Sequence, residues 1–291
     1  MSQDKAMKKL LQMDKNINKN SRGNLLIIAG SDMYPGAATL SALGALRAGA
    51  GLVFVATTHF AASSLNVALS EAIPLVCEAK NGAISFASLT QKIEPIMPKI
   101  DAIVLGPGLS RTAEAQKILQ FVATQFPHLP KVFDADALYY LTRFTPSEED
   151  GKNIIITPHL GEASRILGKD VTLTKLTAAN LIKATNCHAL LKGHGSLLAI
   201  KDGQKILTTK ISSGSPSLAV AGSGDVLAGA IGALLARAKK RNLSNLDTFH
   251  HAVYLAANAH AQAGISLEEK FGVNGNLASE IANELPRFLN V

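Results

Sequence analysis

The segment best suited to chemistry is 221–225 (AGSGD), which precedes a long run of small apolar residues. Glycines let the backbone curl so that successive N–H groups face one point, and a helix starting there adds unpaired donors and the positive end of its dipole. The segment therefore predicts an anion hole made by Gly222, Ser223 and Gly224. Asp225 has two interpretations. It is either an ordinary first-turn acid or a general base that deprotonates a hydroxyl while the loop holds a phosphoryl group in transfer.

Two glycine-containing segments upstream could also approach a ligand. Residues 30–38 (GSDMYPGAA) and 106–109 (GPGL) both follow apolar runs and are typical of tight turns. The small residues Ala37 and Gly108 would nevertheless leave room for a ligand close to the backbone. Neither segment is a nucleotide-binding fingerprint of the common kinds, since the chain contains no GxxxxGKS or GxxxxGKT pattern and no GxGxxG pattern follows the first apolar run.

Polar residues in three other segments could serve a ligand or only the fold. His159, within 157–162 (TPHLGE), could cap a helix or fill a polar pocket. The segment 192–196 (KGHGS) combines a cation, two glycines and a hydroxyl, which would suit a phosphate. Asp134 and Asp136 could be turn residues, or could orient water or a cation. The remaining histidines show no ligand spacing and are predicted to be structural: His59, His128, His188, His250, His251 and His260.

The elements that must position these residues read as an α/β protein. Continuous apolar runs predict strands at 24–29, 52–56, 73–77, 102–105, 131–133, 153–156, 189–191, 197–200 and 205–209, the last two as a hairpin. Helical patterns cover 35–48, 85–93, 112–126, 224–240, 247–263 and 277–288. Buried strands that alternate with helices predict a mostly parallel sheet covered on both faces. Ligands of such sheets bind beyond the carboxyl ends of the strands, where the candidate segments fall.

Composition limits the alternatives. The 291 residues allow one large domain or two modest ones, and no repeat or linker divides them. We therefore expect a flexible polar tail over 1–22 and a single domain over 23–291. The formal net charge of +7 could suggest nucleic acid. However, the cations cluster in the tail and at 237–241 without interleaved aromatics, so the sequence predicts a solvated tail and a helix C-terminus, and no nucleic-acid partner.

Cysteines and apolar segments point to a cytoplasmic protein. Cys77 and Cys187 lack zinc spacing and cannot make a disulfide framework, so buried inert thiols are expected. The polar N-terminus has no signal-peptide pattern. Residues 218–236 approach the length of a membrane span, but Asp225 and several glycines disfavour insertion, and no membrane partner is predicted.

Taken together, the segments resemble a known family. GSDMYPGAATLSALGALRAGAGLV, IVLGPGL, VFDADAL, IITPHLGEASRI, LLKGHGS and AGSGDVLAG are similar, in order and spacing, to those of the ADP- or ATP-dependent NAD(P)H-hydrate dehydratases. The resemblance runs from about Asn24 to Leu289. Its more specific elements are GSD…PGAA and TPHxGE, whereas GxGD is shared across the ribokinase-like superfamily. The resemblance implies a ribokinase-like α/β fold with a central, mostly parallel sheet and helices on both faces.

The same resemblance implies an activity. Members dehydrate the S-epimer of hydrated NADH or NADPH (NADHX or NADPHX) back to NAD(P)H, consume ADP or ATP, and release AMP or ADP plus phosphate. The family further implies Mg2+ as cofactor and a homo-oligomer, a tetramer, although no dedicated metal-ligand cluster is apparent in the sequence. Many relatives carry an N-terminal epimerase domain that the twenty-odd polar residues here could not contain, so we expect a dehydratase domain alone.

Site residues follow from the resemblance position by position. It places the hydrated dinucleotide near Ala37, Gly108, His159 and Asp225, with Asp225 as the catalytic base. The adenine nucleotide would lie along a segment of five residues and at Gly224. The five residues are Lys192, Gly193, His194, Gly195 and Ser196.

One departure from the family pattern and two alternative functions stay open. Many relatives carry Asn-Pro-Gly where this chain has 215–217 (SPS), which leaves the choice between ADP and ATP undecided. One alternative is a ribokinase-like kinase that keeps a phosphorylated product, for example of a vitamin alcohol. The other is a non-catalytic nucleotide-binding protein, against which Asp225 and the intact glycines argue.

Overall fold

The computed structural model describes residues 10–12, 19–211, 214–243 and 245–290. The strands are β1 (Asn24–Ile28), β2 (Leu52–Thr58), β3 (Ile73–Cys77), β4 (Ala79–Lys80), β5 (Ala83–Ile84), β6 (Ala102–Leu105), β7 (Lys131–Phe133), β8 (Ile154–Ile156), β9 (His188–Leu191), β10 (Leu197–Asp202) and β11 (Lys205–Lys210). The helices are α1 (Pro35–Arg47), α2 (His59–Ala68), α3 (Phe86–Ile93), α4 (Ala113–Gln125), α5 (Asp136–Tyr140), α6 (Glu148–Gly151), α7 (Leu160–Leu167), α8 (Lys175–Thr185), α9 (Ser223–Lys240), α10 (Leu246–Phe271) and α11 (Ala278–Leu289). Short 3-10 helices cover Lys19–Arg22, Met97–Lys99 and Pro216–Leu218.

One large sheet organises the molecule. Nine strands lie in the order β11-β10-β9-β8-β7-β6-β1-β2-β3, and β4 and β5 form a separate pair. Pairing is parallel from β9 through to β3, whereas β10 runs antiparallel to both β9 and β11. The predicted mostly parallel sheet is therefore confirmed, as is the hairpin at its end. The sequence did not predict β4 and β5.

Helices cover both faces of this sheet because its strands are apolar on both sides. In β1 all five residues are buried, with Leu25 and Ile27 on one core and Leu26 and Ile28 on the other. The first core includes side chains of α1, α2, α9, α10 and α11. The second includes side chains of α3, α4, α5, α7 and α8. This two-sided burial is what the continuous apolar runs predicted.

Helices α1 and α9 touch backbone to backbone. A Cβ atom built on Gly44 of α1 would lie 2.3 Å from the carbonyl oxygen of Val226. One built on Gly229 of α9 would lie 1.9 Å from that of Ser41. Both distances are far inside van der Waals contact, so only glycine permits the approach. The contact fixes the start of α9 against α1.

Two sequence predictions need correction. Leu10 is fully buried, and the Arg241 guanidinium donates to the carbonyls of Leu10 and Gln12, so this described part of the predicted tail packs against the domain. Most of residues 1–18 lie outside the described chain. Arg237 is not a solvated cation of the α9 C-terminus. It is 2% exposed and donates to the carbonyls of Ala48 and Gly49, because the chain after α1 leaves those acceptors facing α9.

Other predictions hold or fall short. Cys77 and Cys187 are free and buried, as predicted, and burial raises the pKa of their thiols to about 11 and about 12. The sequence assigned no helix to α2, α5, α6, α7 or α8, apart from the possible cap at His159. Within the described residues, no helix is long and apolar enough to cross a membrane.

Candidate active site

Three adjacent strands end in polar residues at one edge of the sheet. Asp134 follows β7, Thr157 follows β8 and Lys192 follows β9. The Asp134 carboxylate is 2% exposed, and its Oδ1 atom accepts from Lys192 Nζ at 2.8 Å and from Thr157 Oγ1 at 2.7 Å. Burial opposes the charge of Lys192, but the carboxylates of Asp134 and Glu162 more than offset it and raise the pKa of Lys192. The lysine is therefore held as a cation at this edge.

The N-terminus of α9 places Gly224 beside this ion pair. Gly222 adopts a φ of 85° at the N-cap, and the Ser223 N–H donates to the Val220 carbonyl at 3.3 Å. A Cβ atom on Gly224 would lie 3.3 Å from Lys192 Nζ. The Gly224 amide, in the first helical turn, has no carbonyl four residues earlier within the helix. Of the predicted anion hole, Gly224 is thus the member placed beside the lysine.

Asp225 lies in the same helical turn and is less acidic than usual. Burial is the main cause, and the neighbouring Asp134 carboxylate adds to it, so that the pKa of Asp225 rises to about 7 although Lys192 acts in the opposite direction. A carboxyl with a pKa near neutrality can take a proton and give it up again at working pH. The environment favours the base interpretation over an ordinary first-turn acid, which would be solvated and ionised.

His159 caps α7 and holds the carboxylate of Glu162. Its Nδ1 atom accepts from the amides of Gly161 at 3.0 Å and Glu162 at 3.3 Å. In return Glu162 Oε2 accepts from the His159 amide at 2.9 Å, which completes a capping box. Burial, followed by the nearby Asp134, raises the pKa of Glu162, although Lys192 opposes this. His159 therefore caps a helix, which is one of the two roles that the sequence left open, and its ring stays largely exposed.

A first cavity of about 1010 Å³ opens beside the loop after β1. Ala37, Gly108 and Asp225, three of the residues that the resemblance assigned to the dinucleotide, line it. Gly108 has a φ of 59°, and a Cβ atom there would lie 2.8 Å from that of Ala37, so a side chain would both strain the loop and narrow the cavity. The other lining residues are Asp32, Met33, Tyr34, Asn81, Gly82, Ser110, Arg111, Thr112 and Asp136.

A second cavity, of about 800 Å³, lies beside the ion pair. Asp225 lines this cavity too and so belongs to the wall between the two. Most of the predicted nucleotide residues also line it, namely Lys192, Gly193, His194, Ser196 and Gly224. Gly195 instead packs against Lys210. His159 was assigned to the dinucleotide together with Ala37 and Gly108. It lines the second cavity, however, whereas those two residues line the first.

Sequence reasoning missed parts of this site. His260, predicted to be structural, is buried and lines the second cavity, with its Nε2 atom 3.1 Å from Ser223 Oγ and 3.0 Å from the Ser223 carbonyl oxygen. Burial lowers the pKa of His260 to about 4 and keeps its ring neutral. No spacing signal identified it. The pairing of Asp134 with Lys192 joins residues 58 positions apart, although their positions after predicted neighbouring strands could have suggested it.

The fold is that of the ribokinase-like class, and one acid, Asp225, lines both cavities. The chain belongs to the NAD(P)H-hydrate dehydratase family, whose pattern matches residues 25–287.

Individual relatives agree with this assignment. The chain is 32% identical over 277 residues to an ADP-dependent (S)-NAD(P)H-hydrate dehydratase of Xanthomonas campestris, covering 94% of this chain and 90% of that protein. It is 36% identical over 276 residues to a bifunctional NAD(P)H-hydrate repair enzyme of Gloeobacter violaceus, with 94% and 50% covered. The chain thus spans about half the length of several curated relatives that it matches.

Solved structures agree on the fold. The ADP/ATP-dependent NAD(P)H-hydrate dehydratase of Bacillus subtilis, co-crystallised with ATP/Mg2+, superposes with a TM-score of 0.76 at 27% identity, covering 99% of this chain and 96% of that one. Ribokinase from Giardia lamblia, at 14% identity, a TM-score of 0.59 and coverage of 91% and 99%, supports the fold alone. The ribokinase-like prediction is confirmed.

Proposed function

We propose that this protein dehydrates the S-epimer of NADHX or NADPHX to NAD(P)H at the expense of ADP or ATP. The observation that carries the proposal is the place of Asp225 on the wall shared by two cavities. One cavity has the small residues Ala37 and Gly108 on its wall, and the other has Lys192 and Gly224. Family membership and the dehydratase relatives support the same reaction.

The proposed reaction begins with proton transfer to Asp225. Its carboxylate takes the proton of the ring hydroxyl of the hydrated nicotinamide, and the resulting oxygen attacks the terminal phosphoryl group of the nucleotide. The new P–O bond to the ring oxygen forms as the bridging P–O bond to AMP or ADP breaks. The C–O bond of the phosphorylated ring then breaks toward phosphate, and loss of a ring proton restores the double bond. Positioning and electrostatics account for most of the rate in such transfers.

Lys192 and the first turn of α9 would stabilise the transferring group. Lys192 is a fixed cation, and the Gly224 amide lies beside it, so both suit the charge that develops on phosphoryl oxygens. The Asp134 carboxylate limits the mobility of the lysine. Neither residue requires a shift of the backbone to face the second cavity, whose wall they already form.

Mg2+ fits this site as a companion of the nucleotide. Among the described residues, no group of three or more histidine, cysteine or acidic side chains could hold a metal ion by itself. Mg2+ commonly needs only one or two carboxylates plus substrate phosphates. Asp134 and Glu162 line the second cavity and would hold it there. The ion would neutralise phosphate charge.

The test is to supply purified protein with NADPHX, Mg2+ and either ADP or ATP, and to follow the absorbance of NADPH and the release of phosphate. Recovery of both, dependent on nucleotide, is expected. A phosphorylated product without NADPH would indicate a small-molecule kinase instead, and binding without turnover would indicate a non-catalytic protein. Running both nucleotides and both substrates determines the preferences that the sequence left open.

Two further expectations complete the proposal, an oligomeric state implied by the family resemblance and a location predicted from the sequence. We expect a homo-oligomer, a tetramer, which sedimentation equilibrium would measure. A cytoplasmic location is the accompanying prediction, to be checked by cell fractionation.

A further inference from the structure

The cation in the first cavity has no role in the reaction described above. Among the described residues that line the first cavity, Arg111 is the only basic one, whereas Asp32, Asp136 and Asp225 are acidic. A dinucleotide brings at least two negative charges in its pyrophosphate, and a wall with three acids would repel them. A phosphate entering this cavity therefore needs the guanidinium.

Arg111 is held in place before any ligand arrives. Its Nε–H donates to Asp136 Oδ1 at 3.1 Å, and its guanidinium carbon stands 4.8 Å from the centre of the Tyr139 ring. Arg143 and Arg165 also approach this ring, at 5.3 Å and 6.0 Å. No residue in the described part of the chain accepts a hydrogen bond from the two Nη groups of Arg111. They are the donors that a planar phosphate contact uses.

The loop conformation at Ser110 helps to position Arg111. Ser110 has a φ of 68°, which is uncommon for a residue with a side chain. Its amide donates to Asp136 Oδ2 at 2.9 Å, and its hydroxyl donates to Ser31 Oγ at 2.9 Å. Asp136 thus holds the loop through one oxygen and the arginine through the other. Strain retained beside a cavity is consistent with a functional contact.

We propose that Arg111 is the phosphate-binding residue of the dinucleotide site, positioned by Asp136 and stacked on Tyr139. The proposal rests on the proposed function, because it assumes that the first cavity takes the hydrated dinucleotide. The contacted group is either the pyrophosphate, present in both substrates, or the 2′-phosphate, present only in NADPHX. In either case Arg111 determines substrate affinity and takes no part in proton or phosphoryl transfer.

The test compares Arg111→Ala with Arg287→Ala. Arg287 also stacks on an aromatic ring, Phe288, and lies near a carboxylate, Glu284, but it lines neither cavity. We expect Arg111→Ala to raise the KM for the hydrated dinucleotide tenfold or more. The kcat and the KM for ADP or ATP should be unchanged, and Arg287→Ala should match the wild type. Arg111→Lys, which keeps the charge but loses the Nε anchor, should fall between.

A comparison of NADHX with NADPHX distinguishes contact with the pyrophosphate from contact with the 2′-phosphate. Equal losses with NADHX and NADPHX indicate the pyrophosphate, and a loss with NADPHX alone indicates the 2′-phosphate; both support the proposal. An unchanged KM for both substrates, in an active and folded variant, overturns it. So does a fall in kcat with KM unchanged. If the wild type itself shows no dehydratase activity, the proposed function fails instead, which keeps the two failures distinct.

Discussion

Replacing Asp225 by asparagine removes the proposed base while keeping the shape of the side chain. General-base catalysis commonly contributes a factor of about 10²–10⁴, so kcat should fall by that range. Nucleotide binding should persist, because Lys192 and Gly224 are untouched. The exposed Asp202 of the β10–β11 turn supplies a matched control, and Asp202→Asn should leave kcat unchanged.

The raised pKa of Asp225 also predicts how strongly the wild-type activity depends on pH. With a pKa of about 7, about half of the Asp225 carboxyls are ionised at pH 7 and about a tenth at pH 6. The value of kcat/KM for the hydrated dinucleotide should therefore fall about fivefold between pH 7 and pH 6, and should level off above pH 8. Steady-state rates at constant ionic strength measure this directly.

The raised pKa of Asp225 also lowers the stability of the folded protein once the pH is high enough to ionise the carboxyl. The folded-state pKa of Asp225 lies above the ordinary value of 3.8, because burial and Asp134 disfavour the ionised form. The protein therefore loses stability as the pH rises from about 4 to about 7, by up to about 4 kcal/mol. Asp225→Asn should have a strongly reduced kcat yet be more resistant to urea than the wild type at pH 8, with little difference in stability at pH 4.

Three results would refute this reasoning. The first is an Asp225→Asn enzyme that retains kcat within tenfold of the wild type. The second is an acid limb of kcat/KM centred near pH 4, which would mean that the free carboxyl is not shifted. The third is a variant less stable than the wild type at pH 8, since that would mean the ionised carboxylate is stabilised by the fold.

Two further predictions concern the ion pair and the helix contact. Lys192→Met should lower the melting temperature, because it leaves the buried Asp134 carboxylate unpaired. The same variant should raise the KM for ADP or ATP at least tenfold. Adding Asp134→Asn should restore the melting temperature but not the KM. Gly44→Ala should cost about 1–3 kcal/mol in urea unfolding, because its methyl group meets the Val226 carbonyl, whereas Gly36→Ala on the same helix meets nothing and should be neutral or stabilising.

Local pattern was enough to predict the sheet and the loops at its carboxyl edge. The apolar runs before Gly30, Gly106 and Asp134 are strands, and the candidate segments follow them. Parallel topology then brings those segments together without any knowledge of side-chain contacts. This is why the general position of Asp225 and Lys192 could be predicted.

What could not be predicted depends on contacts distant in sequence. Nothing near Leu10 or Arg237 in the chain reveals that each is buried against the domain. His260 belongs to the site only because α10 packs beside the first turn of α9. Helix α8, with its threonines and weak amphipathic pattern, gives little local signal. The raised pKa of Asp225 arises from burial and Asp134, which only the folded structure brings to it.

The backbone contact between α1 and α9 fixes the spacing of Ala37 and Asp225, which both line the first cavity. Ala37 stands at the start of α1 and Asp225 at the start of α9, and the two helices meet through Gly44 and Gly229. Main-chain atoms have no rotamers, so the spacing between Asp225 and Ala37 cannot be changed by repacking side chains. The site should therefore keep its dimensions on heating until the domain itself melts, and activity and tertiary structure should be lost together.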